Sequence, residues 1–216
     1  FKSIYGFEPY VNYPGVDSKF YGAKVEPVDR YNLRGSFVLL ESGYVTWTKN
    51  QVKAVEILAE VKKTVANAKL VLAGYDRDPY VDEVRRKIAE LKLKADVLMT
   101  GYVKRDEEMR DLFNLAHVHI LPVHDQGGWA VALQALLFGK PSIVSTRFVA
   151  ANLFKEHALG PVLELDQFAN EIVRIHGGYK QACDKAKQAA KWVSENLSWR
   201  RFGENYEKII NEGLAK

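Results

Sequence analysis

Three short segments of this 216-residue chain hold residue types that could act on a charged ligand. In Gly43-Tyr44-Val-Thr-Trp-Thr-Lys49, a lysine stands where an amphipathic helix is read to begin. Helix N-termini attract anions, so a cation placed there is mismatched on its own. A bound phosphate would resolve the mismatch, because lysines and helix N-termini both attract phosphate. A lysine held only by solvent fits the same residues. The second segment is Pro122-Val-His124-Asp125-Gln126-Gly127-Gly128-Trp129-Ala130. Its paired glycines allow backbone N–H groups to approach an anion closely, and they serve a plain tight turn equally well. His124 and Asp125 follow a strand, where α/β enzymes place catalytic groups; such a pair also occurs for structural reasons. The third segment, Gly101-Tyr102-Val103, offers only the lining of a pocket.

Apolar periodicity supplies the elements that must position these loops. Phe37-Val-Leu-Leu40 is a continuous apolar run, and Gly43 begins a turn. From Lys49 to Val65, the residues Val52, Val55, Leu58, Val61 and Val65 recur at spacings of three and four, the mark of one helical face. Lys69 to Ala73 reads as a strand ended by Gly74. Pro79 to Leu91 reads as a helix, with Asp78 as N-cap and proline at the first position. Strands follow at 96–100, 118–121, 142–145 and 161–165, and helices at 105–116 and 129–138, the last closed by Gly139. The tail from Gln167 reads as helical, with breaks near Gly177-Gly178 and Ser198. Apolar strands alternating with amphipathic helices imply an α/β doubly wound domain, with about six parallel strands and helices on both faces. Ligands of such sheets bind outside the C-terminal strand ends, at the topological switch point. Residues 1–35, rich in Tyr, Pro and Gly and without a sustained period, read as a linker packed on the domain by its aromatics. Residues 36–216 are then one domain.

Composition narrows the class further. Hydrophobic residues make up 47% and charged residues 27%, as in ordinary globular proteins. A chain of this length buries roughly 70% of the surface it would expose unfolded, so no metal or disulfide staple is needed. Its net charge of +4 is too small to indicate nucleic-acid binding without a focused basic patch. The single cysteine, Cys183, cannot form an intramolecular disulfide. No apolar run approaches the roughly 18 residues of a membrane span, and no signal peptide is read. The five histidines and Cys183 lack zinc-site spacing, and His117 and His119 flank a strand face as packing residues. A dinucleotide fingerprint, a Walker A sequence and a nucleophile elbow are all missing. The first residue is Phe rather than Met, which gives the expectation that the chain is part of something longer.

Taken in order, the loops resemble the C-terminal, donor-binding domain of the retaining GT-B glycosyltransferases of group 1, glycosyltransferase family 4. Tyr13-Pro-Gly-Val-Asp17 followed by Phe20 is similar to that family's interdomain linker. Gly43 to Lys49 resembles its Gly-Arg…Lys loop, Val71-Leu-Ala-Gly74 its apolar strand ending in glycine, and Gly101-Tyr-Val103 its Gly-x-Val strand end. Leu115 to Pro122, Gln134-Ala…Gly139-Lys-Pro141 and Ser198-Trp199 match later family segments in order and spacing. The resemblance implies a Rossmann-like domain that binds a nucleoside diphosphate sugar, UDP- or GDP-linked, as substrate, with no metal or further cofactor. It implies an acceptor-binding N-terminal domain outside this chain and a role in carbohydrate biosynthesis. Lys49 matches the lysine that neutralises the donor diphosphate. Gly127, Gly128, Trp129 and Ala130 match the backbone loop over phosphates and sugar, and Val103 matches the strand end that reads the base. Gly43, Tyr44, Gly74, Gly101, His124 and Asp125 line the same implied site. A cytoplasmic location follows as an expectation, with peripheral membrane contact compatible with it.

The sequence departs from the family at three of these places. Two glutamates eight residues apart are replaced by Gln126, which would face the transferred sugar, and Gln134, which would face the ribose. The family arginine aligns with Tyr44. Glutamine still exchanges hydrogen bonds with hydroxyls, but it lacks the charge that makes such bonds roughly twice as strong. Two functional expectations result. One is the donor half of a retaining hexosyltransferase, with Lys49 and Gln126 in catalytic positions, active only with its other half. The other is a degenerate domain that binds a nucleotide sugar or a partner without turnover.

Overall fold

The structure, a computed structural model, describes residues 12–16, 26–124 and 129–214. Among them six strands form one parallel sheet: β1 (Phe37–Ser42), β2 (Ala68–Ala73), β3 (Val97–Gly101), β4 (Val118–Leu121), β5 (Ser142–Ser145) and β6 (Val162–Leu163). Their order is β3-β2-β1-β4-β5-β6, so the direction of winding reverses between β1 and β4. The helices are α1 (Gln51–Lys62), α2 (Tyr80–Glu90), α3 (Asp106–Leu115), α4 (Trp129–Leu137), α5 (Ala151–Glu156), α6 (Phe168–Gly177), α7 (Tyr179–Asn196) and α8 (Trp199–Leu214). The expected α/β doubly wound sheet is present.

Strand residues alternate between two cores, as a period of two requires. Phe37 and Leu39 of β1, Leu70 and Leu72 of β2 and Ile120 of β4 pack against Val55 and Leu58 of α1, Val84 of α2 and Ile172 of α6. Val38, Leu40 and Val71 face the other way, onto Leu112 and Phe113 of α3. Beyond β4 that second face is covered by Leu133 and Leu136 of α4, Phe154 of α5 and Ala186 and Val193 of α7. His117 packs its ring at a tilt against Phe37 and Tyr179 and accepts a hydrogen bond from Val38 N, so it packs as expected.

Several element limits differ from the sequence reading. The first strand runs on to Ser42, and α1 begins at Gln51 rather than Lys49, because Asn50 takes a left-handed conformation at φ 62°. Lys49 is therefore not in the first helical turn; it lies in the turn that precedes the helix. The second helix starts at Tyr80 with Pro79, not Asp78, at the N-cap position, and Asp78 Oδ1 accepts from Tyr80 N at 2.8 Å from one residue further out. Gly139, at φ +67°, ends α4, and the N–H groups of Gly139 and Lys140 turn back onto Leu136 and Ala135. The six-residue α5 is too short to show a period. Ser198 caps α8 by accepting from Arg201 N.

Residues 12–16 lie against the start of α8. Val16 N donates to Leu197 O at 2.7 Å, Asn12 Nδ2 donates to Phe202 O at 3.0 Å, and Tyr13 packs its ring on Trp129 at 5.4 Å. Asp17 and Phe20 of the linker motif lie outside the described residues.

At the C-terminal edge the ends of β1 and β2 touch backbone to backbone. A β-carbon on Gly74 would overlap the carbonyl of Gly43, and neither main chain can yield without breaking the Gly43 N to Ala73 O bond of 2.9 Å. Gly203 in α8, by contrast, has open space around it. Gly74→Ala is expected to lower unfolding free energy by roughly 1–3 kcal/mol, as overpacking does. Gly203→Ala is expected to raise it by roughly 0.4–1 kcal/mol through the lost freedom of the unfolded chain. Urea denaturation of the two variants beside the parent checks both signs.

Candidate functional site

Winding reverses between β1 and β4, the place at which such sheets take their ligands, and the two loops that follow these strands are tied to one another there. Asn50 Nδ2 donates to Pro122 O at 3.0 Å in the buried interior, and His124 N donates to Thr48 O at 3.0 Å. The rings of Trp47 and His124 lie 6.0 Å apart. The left-handed Asn50 turns the chain so that its side chain reaches the second loop. Gln51 completes the first loop: its Oε1 accepts from Thr46 N and its Nε2 donates to Tyr44 O. One glutamine thus fixes a turn that has no side-chain N-cap.

Lys49 folds back over the end of β1. A β-carbon on Gly43, which sits at φ +129°, would be 3.2 Å from Lys49 Nζ, so the ammonium rests on this glycine. Glycine is needed there both for the positive φ and for the space. Gly74 and Gly101 extend the same edge: Gly74 N donates to Gly101 O at 3.1 Å, and Gly101 has φ +67°. Four of the expected residues, Gly43, Lys49, Gly74 and Gly101, are thus gathered on one rim. His124 joins them from the β4 loop. Tyr44 is exposed and meets Tyr75 edge-on at 5.6 Å, with Arg77 over the Tyr75 ring. Val103 turns its side chain inward onto the α3 core. Trp129 and Ala130 open α4, and Gln134 sits half-buried one and a half turns further along it. Asp125, Gln126, Gly127 and Gly128 lie outside the described residues.

Two buried ionisable residues near this rim have no place in the expected site. Glu41 is 2% exposed, and neither carboxylate oxygen has a hydrogen-bond partner. Burial pushes its carboxyl up to about 8, with the Lys49 ammonium pulling the other way. Lys49 in turn is lowered by burial and supported by Glu41. His119 is wholly buried on the opposite sheet face, with Nδ1 3.1 Å from Ser142 Oγ and Nε2 3.5 Å from Ser42 Oγ. Burial, and then Lys49, hold it down to about 3, so it is a neutral spacer between β1 and β5. Among the described residues no group of three His, Cys, Asp or Glu side chains could hold a metal ion, and no helix is long and apolar enough to cross a membrane.

The Glu41 carboxyl has a defined effect on stability. Its folded value of about 8 lies above the ordinary 4.5, so from about pH 4.5 to about 8 the unfolded chain releases a proton that the folded chain keeps. Stability contributed at this position falls as pH rises through that window. Glu41→Met is expected to be more stable than the parent by roughly 1–4 kcal/mol at pH 8, the range found when buried charges give way to apolar side chains. The advantage should shrink toward pH 4.5, which thermal unfolding of both proteins across the window measures.

With the geometry in place, comparison with known proteins gives a consistent answer. The family described as glycosyl transferases group 1 matches residues 30–208. Among solved structures, Anabaena HepE in complex with UDP-glucose is similar at a TM-score of 0.81 and 19% identity, over 94% of this chain and 57% of that one. Sucrose-phosphate synthase from Thermosynechococcus elongatus is similar at 0.76 and 20%, over 94% and 52%. The C-terminal domain of a group 1 glycosyl transferase, LpcC from Francisella tularensis, is similar at 0.73 and 17%, over 85% of this chain and 99% of that domain. The chain thus spans little more than half of the longer relatives and nearly all of the isolated C-terminal domain. No curated protein sequence matches it. The doubly wound sheet is that of the C-terminal half of a GT-B fold, and the chain belongs to the group 1 glycosyl transferases.

Proposed function

We propose that this chain is the donor-binding half of a retaining glycosyltransferase that moves a hexose from a nucleoside diphosphate to a hydroxyl. The observation that carries this reading is the Lys49 ammonium lying on Gly43 at the switch point, in a turn tied to the β4 loop. HepE, of the same fold, was solved with UDP-glucose, and that supports a UDP-linked donor here, with GDP as the other candidate. In this reading Lys49 neutralises the diphosphate, together with backbone N–H groups of Gly127, Gly128 and Trp129 at the start of α4. Gly101 and Val103 offer backbone to the base, Gln134 faces the ribose and Gln126 the sugar being transferred. Residues 1–35 lead from an acceptor-binding domain to the unit formed by residues 36–216, and the short span relative to HepE supports a second half elsewhere.

The chemistry is front-face substitution. The bond between the anomeric carbon and the β-phosphate oxygen breaks as the acceptor oxygen bonds to the same face, and the acceptor proton passes to the departing phosphate oxygen. Lys49 stabilises the negative charge that builds on the diphosphate, an effect that is large in a dry site. The glutamines at 126 and 134 favour a second reading, a domain that holds the donor without turnover, because two carboxylates are lost from places where charge assists binding.

UDP or GDP near 100 times its dissociation constant is expected to stabilise the chain by about 2.7 kcal/mol. Lys49→Ala should weaken diphosphate binding by roughly ten- to a hundredfold, the value of a charge-assisted bond, while leaving the free nucleoside unaffected. Thermal shift and calorimetry with UDP, GDP and uridine measure both. Equal weakening of UDP and uridine removes the role given to Lys49, and sugar transfer by a full-length protein removes the second reading.

A further inference from the structure

The donor reading leaves Glu41 unused, although the fold places it directly under the proposed diphosphate site. It stands one residue inside the end of β1, on the face shared with Phe37 and Leu39, where α1 and α2 cover the sheet. Both its oxygens are sealed from solvent and lack any hydrogen-bond partner. A buried carboxylate without partners is costly, so the group retains its proton until some nearby cation compensates it. That cation is Lys49, which comes from the loop that follows β1 and is itself half-buried. From α2, Tyr80 faces the same space; its hydroxyl accepts from Val52 N at 3.1 Å and is influenced by Glu41, by Glu83 of α2 and by Glu56 of α1. Across the sheet, His119 also senses Lys49.

We propose that Glu41 is a positioning residue that sets the charge Lys49 presents to a bound diphosphate. When Glu41 is protonated, the Lys49 ammonium loses the carboxylate that supports it, and the bound anion becomes its counter-charge. When Glu41 is ionised, part of the ammonium charge is neutralised from beneath. The inference rests on the reading of Lys49 as the diphosphate lysine. Its balance is simple: the proton passes between solvent and the Glu41 carboxylate, and no covalent bond of the ligand changes. An anion over Lys49 makes Glu41 hold its proton more tightly, and by reciprocity the proton makes Lys49 hold the anion more tightly. Burial puts the Glu41 transition at about 8, whereas Tyr80 is pushed up to about 12 and His119 down to about 3. Those two groups therefore stay neutral across the alkaline range in which Glu41 acts.

The test is calorimetric titration of the 216-residue chain with UDP between pH 7 and 9.5, in buffers of differing ionisation enthalpy. Glu41 carrying the linkage predicts uptake of about 0.3–0.5 proton per UDP near pH 8.5, and affinity falling roughly three- to tenfold toward pH 9.5 beyond any change in the ligand itself; both correspond to a shift of half to one pKa unit. Glu41→Gln should abolish the uptake and bind UDP at pH 9.5 more tightly than the parent. Glu41→Asp, which restores a carboxyl, should recover the uptake, as a purely structural role would not. Glu41→Met provides the same comparison if the glutamine variant fails to fold. UDP binding with an unchanged proton count in the Gln or Met variant, or with no uptake in the parent, overturns the role of Glu41 and leaves the diphosphate reading intact. Folded parent protein that binds neither UDP nor GDP overturns both.

Discussion

The hydrogen bond from Asn50 Nδ2 to Pro122 O is the constraint from which the rim takes its shape. Winding reverses between β1 and β4, so no crossover helix bridges the two strands at that point. Without a tie, the loops after them could separate independently. A buried amide-to-carbonyl bond at this place is costly to leave unmade, because neither group has water as an alternative. Asn50 accepts a left-handed backbone to make the bond, a conformation asparagine tolerates better than most residues. That same twist sends Lys49 back over Gly43 instead of into α1. Asn50 and its neighbour Gln51 together thus set the turn that carries Lys49.

Electrostatics and stability oppose each other just below. Glu41 occupies a place in the sheet where an apolar residue would pack without penalty, on the same face as Leu39 and the core against which Tyr80 packs. It lacks the hydrogen bonds that normally accompany a buried carboxyl group. The fold tolerates it because the surrounding apolar packing is extensive and because Lys49 compensates part of its charge. His119 shows the contrasting solution on the other face. Two serine hydroxyls flank its ring nitrogens, and it stays uncharged.

Much of the frame was legible because its signals are local. Runs such as Phe37 to Leu40 and the repeating valines of α1 determine which faces are buried, and glycines mark the strand ends. Gly43, Lys49, Gly74 and Gly101 could be picked out because their residue types are unusual for the elements they adjoin. Glu41 could not. An acidic residue after Leu40 looks like the end of a strand, and only the later arrival of α1 and α2 buries it. Asn50 was equally silent, since its partner Pro122 is 72 positions away. The start of α1 was read two residues early because helical periodicity says nothing about a left-handed residue at the boundary. The six residues of α5 carry too few apolar positions to define a face.

The contact between residues 12–16 and the start of α8 has a mechanical consequence. Two hydrogen bonds, Val16 N to Leu197 O and Asn12 Nδ2 to Phe202 O, join this early segment to the end of α7 and the first turn of α8. A pull applied between these two segments would load that short clasp first, because it joins them directly. Val16 is also buried in one core with Leu133 and Leu197, and Tyr13 packs on Trp129, so parting the clasp would uncover apolar surface at α4 as well as break two hydrogen bonds.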